Sequence, residues 1–441
     1  MFFTVSAPFY YDMQYRAYII NTGLGLMKKR YVYLFAFALA TSSTFSSAGN
    51  RHLDYDGQVI DYNLDFNFWS DSESASSLGI FIHNNAIYGY ENNVEPHLST
   101  PVKYMVGIPF NIALTHFALI YPHEIGHGIR AREYGGDFIV HEWAFPVPVG
   151  ERINGPHTKP EYFTPEENLL FSIGGFEVNT HASLRMQKRY YLEDDMYTRE
   201  VVLYTLNKLM APFYFYGLAN FDPNDPNIWL NYEGGDPGEM SGYLFEMQTG
   251  GAPMVNAGIV DPRLIAIYSQ MKEATLWALL DPTVIQAFVN SGENAGTIGD
   301  RSARRVRPWM LGTHNFKWMY GTQVNFSTLG VEKYLHHFIK ASDEHFVLYT
   351  KTGAPFKNNG FGVQWQNAFE AFNYRVGLSY DSWDQDYYGS GNAYSVDFSY
   401  WPTKGLGLTG RIGSKDKGYL IGKSTSATEY AELGFQYHYN K

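Results

Sequence analysis

From about residue 313 to its end the chain alternates apolar and polar residues with a period of two, and this feature limits the possible folds more than any other. Phe316, Trp318, Tyr320, Val324 and Phe326 alternate with Lys317, Gly321, Gln323 and Asn325. The same pattern returns at Phe372–Tyr380, where Tyr374, Val376 and Leu378 face Asn373, Arg375, Gly377 and Ser379, and again at Tyr394–Tyr400 and Ala431–Tyr439. Successive side chains of a strand point to opposite faces, so each stretch predicts a strand with one aromatic or aliphatic face and one face of Gly, Ser, Asn and charge. Weaker stretches near 332–340, 344–351, 359–368, 405–413 and 417–423 bring the expectation to eight or nine antiparallel strands.

Strands of this length match those that cross an outer membrane at a tilt. Aromatic residues make up 17% of the chain, with 36 Tyr, 31 Phe and 9 Trp, yet long apolar runs are few. This part resembles a small outer-membrane β-barrel, with its apolar face toward lipid and its polar face toward the lumen. A soluble sandwich also alternates, but its outer face carries more Lys and Glu. A further alternating stretch, Val59–Phe68, lies far upstream. If it joins the C-terminal strands, everything between becomes an insertion tethered at both ends. Gly79–Tyr88, with Asn84-Asn85 at its centre, reads as a hairpin.

The segment from about 100 to 310 has a different character, and it contains His123-Glu124-Ile125-Gly126-His127. On a helix, residues four apart lie one above the other, so His123 and His127 can offer two imidazole nitrogens to one Zn²⁺. Glu124, about 100° round the helix, is placed to take a proton from a water at the same site. The apolar run Lys103–Tyr121 leads into the motif, and Gly135-Gly136 ends it. Asn111, His116 and two prolines in or beside that run favour a buried core helix over a membrane span.

A second helix opens at Thr164-Pro165-Glu166-Glu167, with a cap, a proline and acids at its start, and runs to about Met186. Gly174 and Gly175 in its middle cost about 1 kcal/mol each relative to Ala, which suggests that something approaches closely there. Further helices are expected over 195–221 and 260–291. The Asp/Pro/Gly stretches between them, including Gly234-Gly235-Asp236-Pro237-Gly238, read as turns. Asp281-Pro282 reads as a helix N-cap with proline in the first turn.

The histidine motif resembles that of the zincin metallopeptidases. Its extended form, His123-Glu124-x-Gly126-His127 followed by Ala131 and Gly135, is also similar to the site-2 protease pattern. In the gluzincin branch the third ligand is a Glu on a helix downstream. This resemblance makes Glu177 the candidate, since a helix packed across the glycine pair would carry it beside the two histidines. Asp137, His141 and His181 stand in reserve. The site-2 resemblance implies instead an Asp in a Pro-rich Asp-Gly segment of a later membrane helix, and no such segment is identified in the sequence. A membrane-embedded enzyme of that type would also need several spanning helices, and only Lys103–Tyr121 comes near.

At the start, Met27-Lys28-Lys29-Arg30, an apolar stretch over 31–40 and Ser46-Ser47-Ala48 form a signal-peptide pattern, too short for a membrane span. The chain has no cysteine, which excludes thiolate zinc sites, cysteine nucleophiles and a disulfide framework and suits a bacterial envelope protein. Its formal net charge of −11 becomes more negative once the basic leader is removed, which argues against nucleic acid as a partner.

The expected fold is therefore α+β, a helical zinc-metallopeptidase domain with an antiparallel C-terminal β-barrel-like domain. The divisions fall at 1–48 (upstream extension and signal peptide), 49–99 (N-terminal strand region joined to the β-domain), 100–310 (helical domain) and 311–441 (β-domain). The expected activity is zinc-dependent endopeptidase at the outer membrane or in the periplasm. Zn²⁺ would be held by His123, His127 and Glu177, Glu124 would act as general base, and the partners would be a protein or peptide substrate and the bilayer. The alternative is a non-catalytic barrel whose helical insert binds metal or plugs the lumen.

Overall fold

The computed structural model describes residues 60–64, 71–144, 147–153, 163–194, 196–218, 221–231, 235–294, 306–371, 373–402 and 406–439. The signal-peptide region 1–48 lies outside the described residues. From Tyr55 onward the chain forms one compact unit, of class α+β.

In chain order the elements are β1 (Ile60–Leu64), α1 (Ser72–Asn93), α2 (Thr100–Glu133), β2 (Asp137–Ala144), β3 (Val147–Ile153), α3 (Pro165–Glu193), α4 (Glu200–Phe213), a π turn (Tyr214–Leu218), α5 (Pro226–Asn231) and α6 (Gly235–Thr249). The short pair β4 (Val255–Asn256) and β5 (Ile259–Val260) follows, then α7 (Pro262–Thr275), a 3₁₀ turn (Leu276–Leu280), α8 (Pro282–Asn294) and β6 (Leu311–Gly312). Eight long strands complete the chain: β7 (Phe316–Ser327), β8 (Gly330–Ala341), β9 (Glu344–Pro355), β10 (Asn358–Ala371), β11 (Tyr374–Gln385), β12 (Gly389–Tyr400), β13 (Leu406–Lys415) and β14 (Thr428–Tyr439).

Strands β6 to β14 pair in sequence order, and β1 pairs antiparallel with β14, Tyr62 opposite Tyr437. The first and last described strands therefore lie side by side, and the helical segment is inserted between the sheet's two edges, β1 and β6. No pairing joins those edges among the described residues, over which the sheet is open. The face assignment follows the alternation. On β11, Tyr374, Leu378 and Tyr380 are exposed while Gly377, Asp381 and Gln385 are buried. Leu408, Ile412, Leu433 and Phe435 continue the exposed apolar face.

Helices pack on both faces of the first long strands: by register Phe338 and Val347 lie on the face opposite Tyr380, and Val324, Phe326 and Val331 on the same face as Tyr380. Val324, Phe326, Val331, Phe338 and Val347 share one core with Leu169, Ile173, Phe176 and Met186 of α3 and with Leu264 and Met271 of α7. Inward polar residues are neutralised in place. The buried Glu332 carboxylate accepts from Lys351 Nζ at 2.6 Å and from Tyr334 Oη at 2.7 Å, the compensation that buried charge needs.

Three expectations are corrected. Residues 79–88 are not a hairpin but the middle of α1. Asp71 caps that helix by accepting from Ser74 N, and Ser76, Ile80, His83, Ile87 and Tyr90 are buried with the four-three spacing of one helical face. Residues 417–423 form no strand. Positive φ at Gly418 (149°) and Gly422 (71°) folds them into a loop that buries Tyr419 completely. Finally, the apolar run of α2 is not a buried core helix, because only 22% of its most apolar window is buried.

Candidate metal centre

The site is built where α2 crosses α3. Gly126 and Gly174 meet at that crossing, and a Cβ on either would strike the backbone carbonyl of the other. A Cβ on Gly175 would enter the His123 ring. The glycine pair thus lets a helix backbone lie directly beneath a histidine, as its unfavourable propensity suggested. The two rings stand edge to face with centroids 4.9 Å apart. His123 also packs edge-on against Phe176 at 5.3 Å.

The polar contacts fix which nitrogen of each ring carries the proton. His127 Nδ1 lies 2.8 Å from the Phe171 carbonyl oxygen. A carbonyl only accepts, so Nδ1 holds the hydrogen and Nε2 keeps its lone pair. For His123 the assignment is relayed. Asn207 Nδ2 donates to Leu203 O at 2.9 Å, which makes Asn207 Oδ1 the acceptor for Asn179 Nδ2 at 2.9 Å. Asn179 Oδ1 then accepts from His123 Nδ1 at 2.7 Å. Both rings are therefore oriented from behind with Nε2 presented forward, the arrangement that outer partners impose on metal-binding histidines.

The acid in front of those nitrogens is Asp236, in the first turn of α6. Its Oδ2 lies 3.5 Å from His123 Nε2 and 3.8 Å from His127 Nε2. The three residues are the one group of His, Asp or Glu ligand atoms among the described residues close enough to share an ion, all within 4.8 Å of one another. Bonds of about 2.0–2.2 Å to a tetrahedral Zn²⁺ separate ligand atoms by roughly 3.3–3.5 Å, and the two His–Asp separations lie close to that. Burial disfavours the Asp236 carboxylate, but once the facing His127 and His123 are protonated their charge outweighs it and holds its pKa below the ordinary value.

Glu177 is a different matter. It lies on the expected helix and is fully buried, but it points toward the next turn of α2. Arg130 Nε donates to its Oε2 at 2.7 Å and Arg130 Nη2 to its Oε1. Tyr419 Oη donates to the same Oε1 at 2.6 Å. A carboxylate with both oxygens taken up by a guanidinium fork has little left for a metal. The structure does not bring Glu177 into the donor group, and Asp236 stands there instead. His181 lies elsewhere, against Gly422 and Glu73. Asp137 and His141 fall on β2, where the side chains lie outside the described residues. Asp281 caps α8 as expected, accepting from Thr283 N at 2.7 Å.

Glu124 is half-buried on α2, one residue from the first histidine. Its charge reaches Tyr214, whose hydroxyl pKa is pushed up by Asp236, by burial, and by Glu124 and Glu239. The Tyr214 hydroxyl also lies close to Gly235, beside Asp236. Glu124, Asp236 and this phenol thus lie within electrostatic reach of one another, and Tyr214 keeps its proton.

Two of these residues are absent from the sequence-based expectation. Asp236 lies in the stretch read as turns, Gly235-Asp236-Pro237-Gly238, and nothing in its local pattern ties it to the histidines. Tyr214 falls within the helix expected over 195–221, where nothing in the sequence sets it apart. Comparison of the chain with protein-family models, with curated proteins and with solved structures finds no match.

Proposed function

We propose that this protein is a metal-dependent hydrolase of the cell envelope, acting on peptide bonds, with Zn²⁺ held by His123, His127 and Asp236. The observation that carries the reading is the donor set itself: two Nε2 atoms with proton-bearing Nδ1 atoms behind them and one carboxylate in front. Bound there, zinc would lower the pKa of a coordinated water and polarise a carbonyl. Glu124 then acts as the base, accepting a proton from the attacking water and returning it to the leaving amine. Tyr214, held protonated, can donate to the oxygen on which charge develops.

Three donors rather than four among the described residues favour catalysis over a closed structural site. The donor set also agrees better with the Asp implied by the site-2 resemblance than with the Glu implied by the gluzincin one. The exposed aromatic and aliphatic face of β10–β14, opposite a polar interior, supports an outer-membrane location and a barrel-like wall. Glu124→Gln should retain zinc and lose hydrolysis of an unstructured protein substrate. A Glu124→Gln protein that still cleaves overturns the mechanism.

A further inference from the structure

The apolar surface continues past the sheet. On α2, Met105, Ile108 and Ile112 are 75%, 54% and 58% exposed, and Leu280, Ile285 and Phe288, in the 276–280 turn and α8, are 58%, 62% and 52% exposed. These helical elements form a packed series from one sheet edge to the other: β1 against α1, α1 against α2, α2 against α4, α4 against the 276–280 turn, and that turn against β7.

Polarity on α2 is inverted just as it is on the strands. The side turned into the protein carries Asn111 and Thr115, both hydrogen-bonded to His83 Nε2, at 3.1 and 3.2 Å, while the outer side is aliphatic. A helix in water places these residues the other way round. From Tyr104 to His123 the chain has 20 residues without Lys, Arg, Asp or Glu, about 30 Å of helix, the thickness of a bilayer's hydrocarbon layer. Strands of 12 residues such as β11 and β12, tilted as barrel strands are, span roughly the same distance.

We propose that α2 and residues 276–289 supply the hydrocarbon-facing wall that the open sheet leaves between β6 and β1, and that the acyl chains of the bilayer cover them. This rests on the reading of the sheet's outer face as lipid-facing. Matching thickness and inverted polarity on both kinds of element select acyl chains. A second copy of the chain would bury one self-complementary patch, whereas this surface runs across the sheet and the helices alike.

The chain has no cysteine, so single labels can be placed without background. Met105→Cys, Ile112→Cys and Phe288→Cys on the helices, Leu433→Cys on the outer face of β14 and the buried Ser395→Cys are each labelled with an environment-sensitive fluorophore. The full-length proteins are reconstituted in phosphatidylethanolamine–phosphatidylglycerol vesicles, with and without nitroxide-bearing acyl chains. The proposal predicts that the nitroxide lipids remove most of the emission at 105, 112, 288 and 433 while aqueous iodide leaves it, and that 395 responds to neither. Lipid quenching at 433 with iodide quenching at 105, 112 and 288 overturns the proposal and leaves the sheet reading intact. Protection of the helical labels from both quenchers, with Met105→Cys cross-linking between copies, overturns it in favour of a dimer. Absence of lipid quenching at 433 removes the sheet reading and this proposal with it.

Discussion

Asn179 Oδ1 accepts a hydrogen bond from His123 Nδ1 at 2.7 Å across the α2–α3 crossing, and this contact sets the direction in which Nε2 faces. Removal of such an outer partner typically weakens metal binding by about 10–100-fold. Asn179→Ala should therefore lower zinc affinity by that order with unchanged circular dichroism, and Asn179→Asp, which keeps an acceptor, should restore most of it. Competition with a chromophoric chelator measures both. Equal affinity in Asn179→Ala and wild type would remove the orienting role.

Two glycine substitutions separate packing from ligation. Gly126→Ala drives a methyl into the Gly174 carbonyl, backbone against backbone, and small-to-large changes in a packed interior cost about 1–3 kcal/mol. It should lower the midpoint of chemical denaturation. Gly175→Ala meets the His123 ring instead, a side chain that can swing away, so its main effect should be lost zinc affinity. If both variants change stability alike and neither changes zinc binding, the crossing does not position the ligand.

Lys208 Nζ and Asp281 Oδ2 are 2.8 Å apart with both side chains fully buried. Breaking a buried pair by removing one partner costs about 3–5 kcal/mol, whereas replacing both with apolar groups is often near neutral. Asp281→Asn should be strongly destabilised in urea, with a Lys208→Met/Asp281→Leu double variant closer to wild type. Gln187, which donates to Asp281 at 3.0 Å, makes the recovery incomplete.

Acid release of zinc should be a histidine event. The Asp236 pKa is lowered by the facing histidines, so this carboxylate remains charged as the pH falls and titrates only below the ordinary Asp range near 3.9. Imidazoles in general take up protons around pH 6.5, and bound zinc requires them neutral. Zinc should leave with uptake of about two protons, ahead of any loss of charge at Asp236. Release of the metal on acidification without net proton uptake would exclude a two-histidine site.

Much of this architecture was legible because the strands carry one period throughout, and Tyr374–Tyr380 assigns its own faces. The capping sequence Thr164–Glu167 announced α3. The failures have local causes. Asn84-Asn85 imitates a turn inside α1, and only the buried spacing of Ile80, His83 and Ile87 reveals the helix. Gly418-Tyr419-Leu420-Ile421 has strand composition, yet its flanking glycines take φ values that end pairing. The choice of Glu177 identified the right helix and the right reason for its glycines, but not the neighbour. One turn of α2 separates His127 from Arg130, and the guanidinium there holds the carboxylate. Asp236 comes from a helix that no local pattern connects to the histidines, since tertiary packing alone brings it to them.

The most direct test is the zinc content of purified protein beginning at Gly49, with wild type compared with His127→Ala, Asp236→Asn, Glu177→Gln and Glu124→Gln. The account predicts about one zinc per chain in wild type, Glu177→Gln and Glu124→Gln, and loss of zinc in His127→Ala and Asp236→Asn. Zinc retained by Asp236→Asn and lost from a folded Glu177→Gln would contradict the donor set, and a wild type that binds none when zinc is offered would contradict the metal centre altogether.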